Sequence, residues 1–171
     1  RSSMFLCTLH PKILTKPMHK PVALITGASA GIGFEMAKIF AARGYDLVVV
    51  ARTAKKLKEI RTQIPAHTIV TDIPLDLSLP NAAAKLFAAT QKKKLKVDVL
   101  VNNAGFGSNG RFVELDRKNE LQEIDLNVRT LTELCHFYGK EMAARGTGKI
   151  LNVASTAAFQ PGPYMAVYYA T

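Results

Sequence analysis

The stretch "VALITGASAGIGFEMAKIF", residues 22–40, constrains the fold of this chain more than any other. It opens with a short continuous apolar run, as expected of a strand buried on both faces. Gly27, Gly31 and Gly33 then stand where the strand gives way to helical spacing. Glycine permits a tight turn and lets the backbone approach a ligand closely. The free N–H groups at a helix start carry partial positive charge and suit a pyrophosphate. Gly27, Ser29, Ala30, Gly31, Ile32 and Gly33 are therefore candidate dinucleotide-binding residues. The competing reading is a glycine-rich strand–helix turn with no ligand. The helix is expected to turn Ile32, Met36, Ile39 and Phe40 to one face and to stop at Gly44.

The same alternation continues. "DLVVVA" reads as a second buried strand, and "TAKKLKEIRTQI" as a helix with Thr53 as N-cap and Leu57, Ile60 and Ile64 inward. "HTIVTDIPL" is a third strand region. "SLPNAAAKLFAATQ" is a helix starting near Ser78 or Pro80. "VDVLVNN" and "KILNVAS" are the fourth and fifth strands, separated by a long helical stretch from about Arg117 to Ala144. Strand and helix alternating through short connections predict an α/β fold: a doubly wound parallel sheet of Rossmann type, in three α/β/α layers.

Composition supports one globular domain. The chain has 171 residues, 48% apolar and 21% charged. No apolar run approaches the roughly 20 residues needed to span a bilayer. Cys7 and Cys135 stand far apart, which argues against a disulfide framework and for a reducing, cytoplasmic setting. The net charge of +10 comes partly from "KKLK" (55–58) and "KKKLK" (92–96). Nucleic-acid binding is one reading of these clusters. No aromatic residue is interleaved to stack on bases, so they read as solvated helix faces, with no nucleic-acid partner expected. Residues 1–20 contain no acid and no sustained periodicity, and read as a basic arm or tag remnant outside the domain at 21–171. The apolar "MFLCTL" there is shorter than the roughly 7–15 residues of a secretory core. No metal site is expected.

The spacing G-x-x-x-G-x-G at Gly27, Gly31 and Gly33 resembles the short-chain dehydrogenase/reductase family, in its compact single-domain branch. In dinucleotide folds an acid at the end of the second strand bonds the 2′-hydroxyl of NAD, whereas an arginine accommodates the 2′-phosphate of NADP. Here "VVVART" places Ala51 where the acid would stand, followed by Arg52. A guanidinium pairs with a phosphate through two parallel hydrogen bonds. NADP(H) is therefore expected over NAD(H). The resemblance further implies that Asp76 in "LDLS", beside Leu77, bonds the adenine amino group. It also implies that Asn103, Ala104 and Gly105 of "NNAG" border the cofactor. A turn aspartate is the plainer reading of Asp76.

Three further residues complete the expected site. Asn127 sits on an apolar stripe with Ile124, Leu131 and Leu134 and must find a partner. It is either a satisfied core asparagine or, as the resemblance implies, the residue that holds a water in a proton relay. Ser155 follows the fifth strand, and Tyr168 comes thirteen residues later, after a loop with Pro161, Gly162 and Pro163. This separation resembles the family's Ser and Tyr-x-x-x-Lys pair, with Tyr168 as catalytic acid and cofactor neighbour. Carbonyl reduction needs a proton for the oxygen. A tyrosine of ordinary pKa about 10 supplies it when a cation lowers that value. A serine hydroxyl steadies the oxygen. The implied lysine falls one position past Thr171.

The resemblance covers 21–171 and amounts to the N-terminal two-thirds of a family member. A later helix, two strands and a substrate loop would follow, and the C-terminal part of the fold would be absent from this chain. The chain alone is expected to be inactive, and the whole protein a homo-oligomer partly through the long helix. The expected activity is hydride transfer between NADP(H) and a carbonyl/alcohol pair. The loop "AAFQPGPYMAV" hints at a lipophilic substrate. The alternative is a nucleotide-binding module without turnover.

Overall fold

Strand residues alternate between two cores, which is why the sheet must be covered on both faces. In β1 (Val22–Thr26), Ala23 and Ile25 face one core and Leu24 the other. In β2 (Asp46–Ala51), Leu47, Val49 and Ala51 share the first core, and Val48 and Val50 the second. The structure, a computed structural model, describes residues 19–171. The expectations for the arm, including "MFLCTL" and Cys7, fall on residues outside that range. His19 and Lys20 lie against the domain, His19 Nε2 at 3.2 Å from Asp98 and Lys20 Nζ at 2.7 Å from Asp46.

Five parallel strands form one sheet in the order β3-β2-β1-β4-β5, with β3 at Val70–Pro74, β4 at Val99–Asn102 and β5 at Lys149–Asn152. The chain moves outward from β1 to β3, returns, and adds β4 on the other side of β1. The topological switch therefore lies between β1 and β4, where such sheets bind ligands beyond their carboxyl ends. The outermost strand β5 is exposed along its whole length.

Helices α1 (Gly31–Ala42) and α2 (Ala54–Ile60) cover one face. The other is covered by α3 (Ala82–Lys92) and by α5 (Leu131–Ala144), which follows α4 (Arg117–Ile124). A short α6 (Ala166–Ala170) closes the described chain. Leu57, Ile60 and Ile64 are buried as expected.

The face of α1 differs from expectation. Ile32 and Ile39 are 60% and 51% exposed, and Gly33, Ala37 and Ala41 are buried instead. Small residues at this i, i+4 spacing let the helix axis approach the sheet, which a row of isoleucines would prevent. Thr53 occupies the N-cap of α2 without a side-chain bond. The helix α3 begins at Ala82, later than Ser78 or Pro80. Ser78 donates both its N–H (3.0 Å) and its hydroxyl (2.7 Å) to Asp76 Oδ1, and this local turn delays the helix.

The long helical stretch is continuous but not uniform. Asp116 caps it by accepting from Lys118 N at 3.0 Å, and residues Asp125–Thr130 between α4 and α5 are wound as a π-helix. Such segments recur at functional sites. In α5, Tyr138 is buried, with its hydroxyl 2.9 Å from Thr90 Oγ1 on α3. Burial pushes its ionisation well above the usual tyrosine range.

Candidate active site

The cleft is built around Thr26, the last residue of β1. Its hydroxyl donates to Val101 O (3.3 Å) and accepts from the backbone N–H groups of Asn103 and Ala104 (both 3.0 Å). Asn103 Nδ2 in turn donates to the carbonyls of Thr26 (3.0 Å) and Gly27 (3.3 Å). The glycine loop and the "NNAG" turn are thus one hydrogen-bonded unit across the switch point. The sequence signal for Thr26 is a polar residue ending an otherwise apolar run.

The glycines have different reasons. Gly31 lies at φ +57°, and a Cβ there would meet only open space in front of the helix start. Gly33 is the reverse case, because an added Cβ would run into Asn103 Nδ2 and the Gly27 carbonyl. Gly31 therefore leaves an open cradle at the first turn of α1, and Gly33 lets that turn press against the strand loop. This arrangement fits a pyrophosphate, whose charge the helix N-terminus favours.

Two adjoining cavities divide the expected residues except Gly31 and Gly33, which line neither. A smaller one of about 200 Å³ is lined by Gly27, Ser29, Ala30, Arg52, Asp76 and Leu77, together with Ala104 and Gly105. A larger one of about 810 Å³ is lined by Ile32, Asn103, Ala104, Gly105, Asn127, Ser155 and Tyr168. Ala104, Gly105 and Phe106 belong to both, so the two form one cleft across the carboxyl ends of β1 and β4. Tyr169 also lines the larger cavity, whereas Tyr164 does not.

Arg52 is exposed at the rim of the smaller cavity, immediately after β2. Asp76 behaves as the turn aspartate of its plainer reading while also facing the cavity: both Ser78 bonds go to Oδ1, leaving Oδ2 for another donor. Ser155 caps a short 3₁₀ turn, its Oγ accepting from Ala157 N at 3.1 Å. The hydroxyl proton is not used in that bond and stays free for another acceptor. Tyr168 packs its ring on the backbone of Gly107, where an added Cβ would stand 2.7 Å from Cδ2.

Asn127 lies in the π-helix, and its amide is engaged by protein groups. Oδ1 accepts from Phe106 N (3.3 Å), and Nδ2 donates to Phe106 O (2.9 Å) and Thr171 Oγ1 (3.0 Å). The side chain therefore braces the "NNAG" loop and the end of α6. Three residues later, Thr130 donates to Leu77 O at 2.8 Å, tying the smaller cavity to the same segment. Sequence reasoning missed Thr130, Ser108 and Glu123, because each acts on a residue remote in the chain.

A parallel sheet with a glycine cradle at its switch point defines a dinucleotide-binding α/β protein. The short chain dehydrogenase family model matches residues 21–171, and the chain belongs to that family of oxidoreductases. It is 33% identical over 153 residues to 2-dehydro-3-deoxy-D-gluconate 5-dehydrogenase of Bacillus subtilis, covering 87% of this chain and 58% of that protein. A second relative is an NAD-dependent glycerol dehydrogenase of Listeria innocua, 32% identical over 80% of this chain and 53% of its own length. Among solved structures, a short-chain dehydrogenase from Sphingobium yanoikuyae in complex with NADPH aligns with a TM-score of 0.81 at 34% identity. That alignment covers 88% of this chain and 59% of the other. The chain thus spans somewhat more than half the length of the relatives it matches. Among the described residues no helix is long and apolar enough to cross a membrane.

Proposed function

We propose that this chain forms the cofactor-binding and proton-transferring part of an NADP(H)-dependent oxidoreductase acting on a carbonyl/alcohol pair. The observation that carries the reading is that Ser155 and Tyr168 line one cavity continuous with the glycine cradle. When bound, NADPH supplies a hydride to the carbonyl carbon. Tyr168 gives its phenolic proton to the oxygen from the protein side. Ser155, whose Oγ already accepts from Ala157 N, donates a hydrogen bond to the same oxygen and keeps its proton, stabilising the charge that develops there. Arg52 at the rim of the smaller cavity holds the 2′-phosphate, and Asp76 Oδ2 accepts from the adenine amino group. Asn127 keeps the loop beside Tyr168 in place. Ala157, Ala158 and Met165 give the larger cavity an apolar wall, which suits a small lipophilic carbonyl substrate. The scarcity of cysteine fits a reducing compartment such as the cytoplasm.

The NADPH-bound relative supports the cofactor assignment, and the NAD-dependent relative makes Arg52 the deciding residue. The test is Tyr168→Phe in the protein expressed from its complete reading frame. NADPH-dependent carbonyl reduction is expected to fall by about 10²-fold or more, the usual contribution of a positioned acid, while NADPH binding changes little. Undiminished turnover would sink the assignment. NADPH binding without any turnover in the wild type would favour a nucleotide-binding module instead.

A further inference from the structure

We propose that Glu123 is a positioning residue: its buried carboxylate, together with Asn127, anchors the loop Phe106–Gly110, and that loop sets where Tyr168 stands. Glu123 is fully buried on α4. Its Oε2 accepts from both the backbone N–H (2.9 Å) and the hydroxyl (2.8 Å) of Ser108, and Asn119 Nδ2 donates to the same hydroxyl at 2.8 Å. Hydrogen bonds to a carboxylate are roughly twice as strong as neutral ones. A carboxylate taken out of water is costly unless its bonds compensate, so an apolar side chain would fill this position at lower cost. What an apolar residue would not supply is a grip on Ser108.

The loop needs such a grip. "GFGSNG", residues 105–110, contains three glycines and has little intrinsic preference for one conformation. It nevertheless touches both sides of the reacting centre. Phe106 exchanges two backbone bonds with the Asn127 amide. Gly107 lies flat on the Tyr168 ring, where an added Cβ would come within 2.7 Å of Cδ2 and 2.8 Å of Cγ. Gly110 N donates to Tyr164 O at 2.8 Å, holding the segment that leads into α6. Ser108, between these contacts, is a second point at which the loop is fastened to the long helix, through Glu123 four residues before Asn127. Displacements of about an ångström in such a constellation lower rates strongly.

The inference rests on Tyr168 being the proton donor. The experiment compares Glu123→Ala, Glu123→Gln and Ser108→Ala with wild type and Tyr168→Phe, in the protein from the complete reading frame. The readouts are kcat, the NADPH dissociation constant and thermal stability. Glu123→Ala is expected to lower kcat about tenfold or more, with NADPH affinity within about twofold, because the adenine end is untouched. Glu123→Gln keeps an acceptor for Ser108 and is expected to recover most of that loss. Ser108→Ala removes the hydroxyl's bonds to Glu123 and from Asn119 while keeping the backbone bond to Glu123, lowers kcat about threefold, and decides the matter if Glu123→Ala does not fold. A purely structural role would lower stability and leave the kcat of folded protein unchanged. If Tyr168→Phe is inactive while Ser108→Ala and folded Glu123→Ala keep wild-type kcat, the anchoring is wrong and the proton-donor assignment stands. If Tyr168→Phe remains active, both fall.

Discussion

The proposed choice between two cofactors rests on one exposed side chain, Arg52. Ala51 ends β2 without the carboxylate that would bond a ribose hydroxyl, and the guanidinium of Arg52 stands at the cavity rim. Arg52→Ala is expected to weaken NADPH binding by about tenfold to a hundredfold, the worth of a charge-assisted bidentate pair, and NADH binding by less than about twofold. Titration with both nucleotides reads this directly; equal losses for the two would contradict the assignment. That Arg52 and Ser155 follow the ends of β2 and β5 was legible from the apolar runs before them, and Tyr168 was reached through its separation from Ser155. Glu123 was not. In "NELQEIDLNV" a glutamate reads as part of a solvated face, and its partner Ser108 lies fifteen residues earlier in a loop with no periodicity of its own.

At the level of elements, the five strands and the strand–loop–helix of the cradle were readable, because buried parallel strands are continuous apolar runs. The packing face of α1 was not, since hydrophobicity favours Ile32 and Ile39 over the alanines that steric fit selects. The π-helix at Asp125–Thr130 had no sequence signal either: its register is imposed by the bonds of Asn127 to Phe106 and of Thr130 to Leu77. Helix pairing gives a prediction as well. Tyr138 of α5 is buried against Thr90 of α3, and its folded pKa lies above the ordinary value of 10.0. The native state therefore holds this proton more tightly than the unfolded chain does. Its contribution to stability is complete below about pH 10 and declines as pH rises above that. Alkaline titration followed by phenolate absorbance is expected to show one tyrosine ionising only as the protein unfolds, and Tyr138→Phe should remove that component.

For the whole molecule, the long helix carries exposed Leu121 and Ile124 away from both cavities. Apolar residues grouped in this way on a helix suit association with a second copy, in keeping with the expected homo-oligomer. Leu121→Lys combined with Ile124→Lys is expected to lower the sedimentation mass of the complete protein toward that of a monomer. An unchanged assembly would place the contact elsewhere.

The central position of β1 has a consequence for how the molecule comes into being. Thr26 closes the cradle through Asn103, 77 residues later in the chain. At synthesis rates of about 5–20 residues per second, the finished strand and glycine loop wait roughly 4–15 s for that partner to be made. The nucleotide cradle is thus begun well before the residue that completes it is made. A nascent chain holds the glycines of a binding site well before it holds a site, and contacts this distant in sequence make the central sheet slow to assemble.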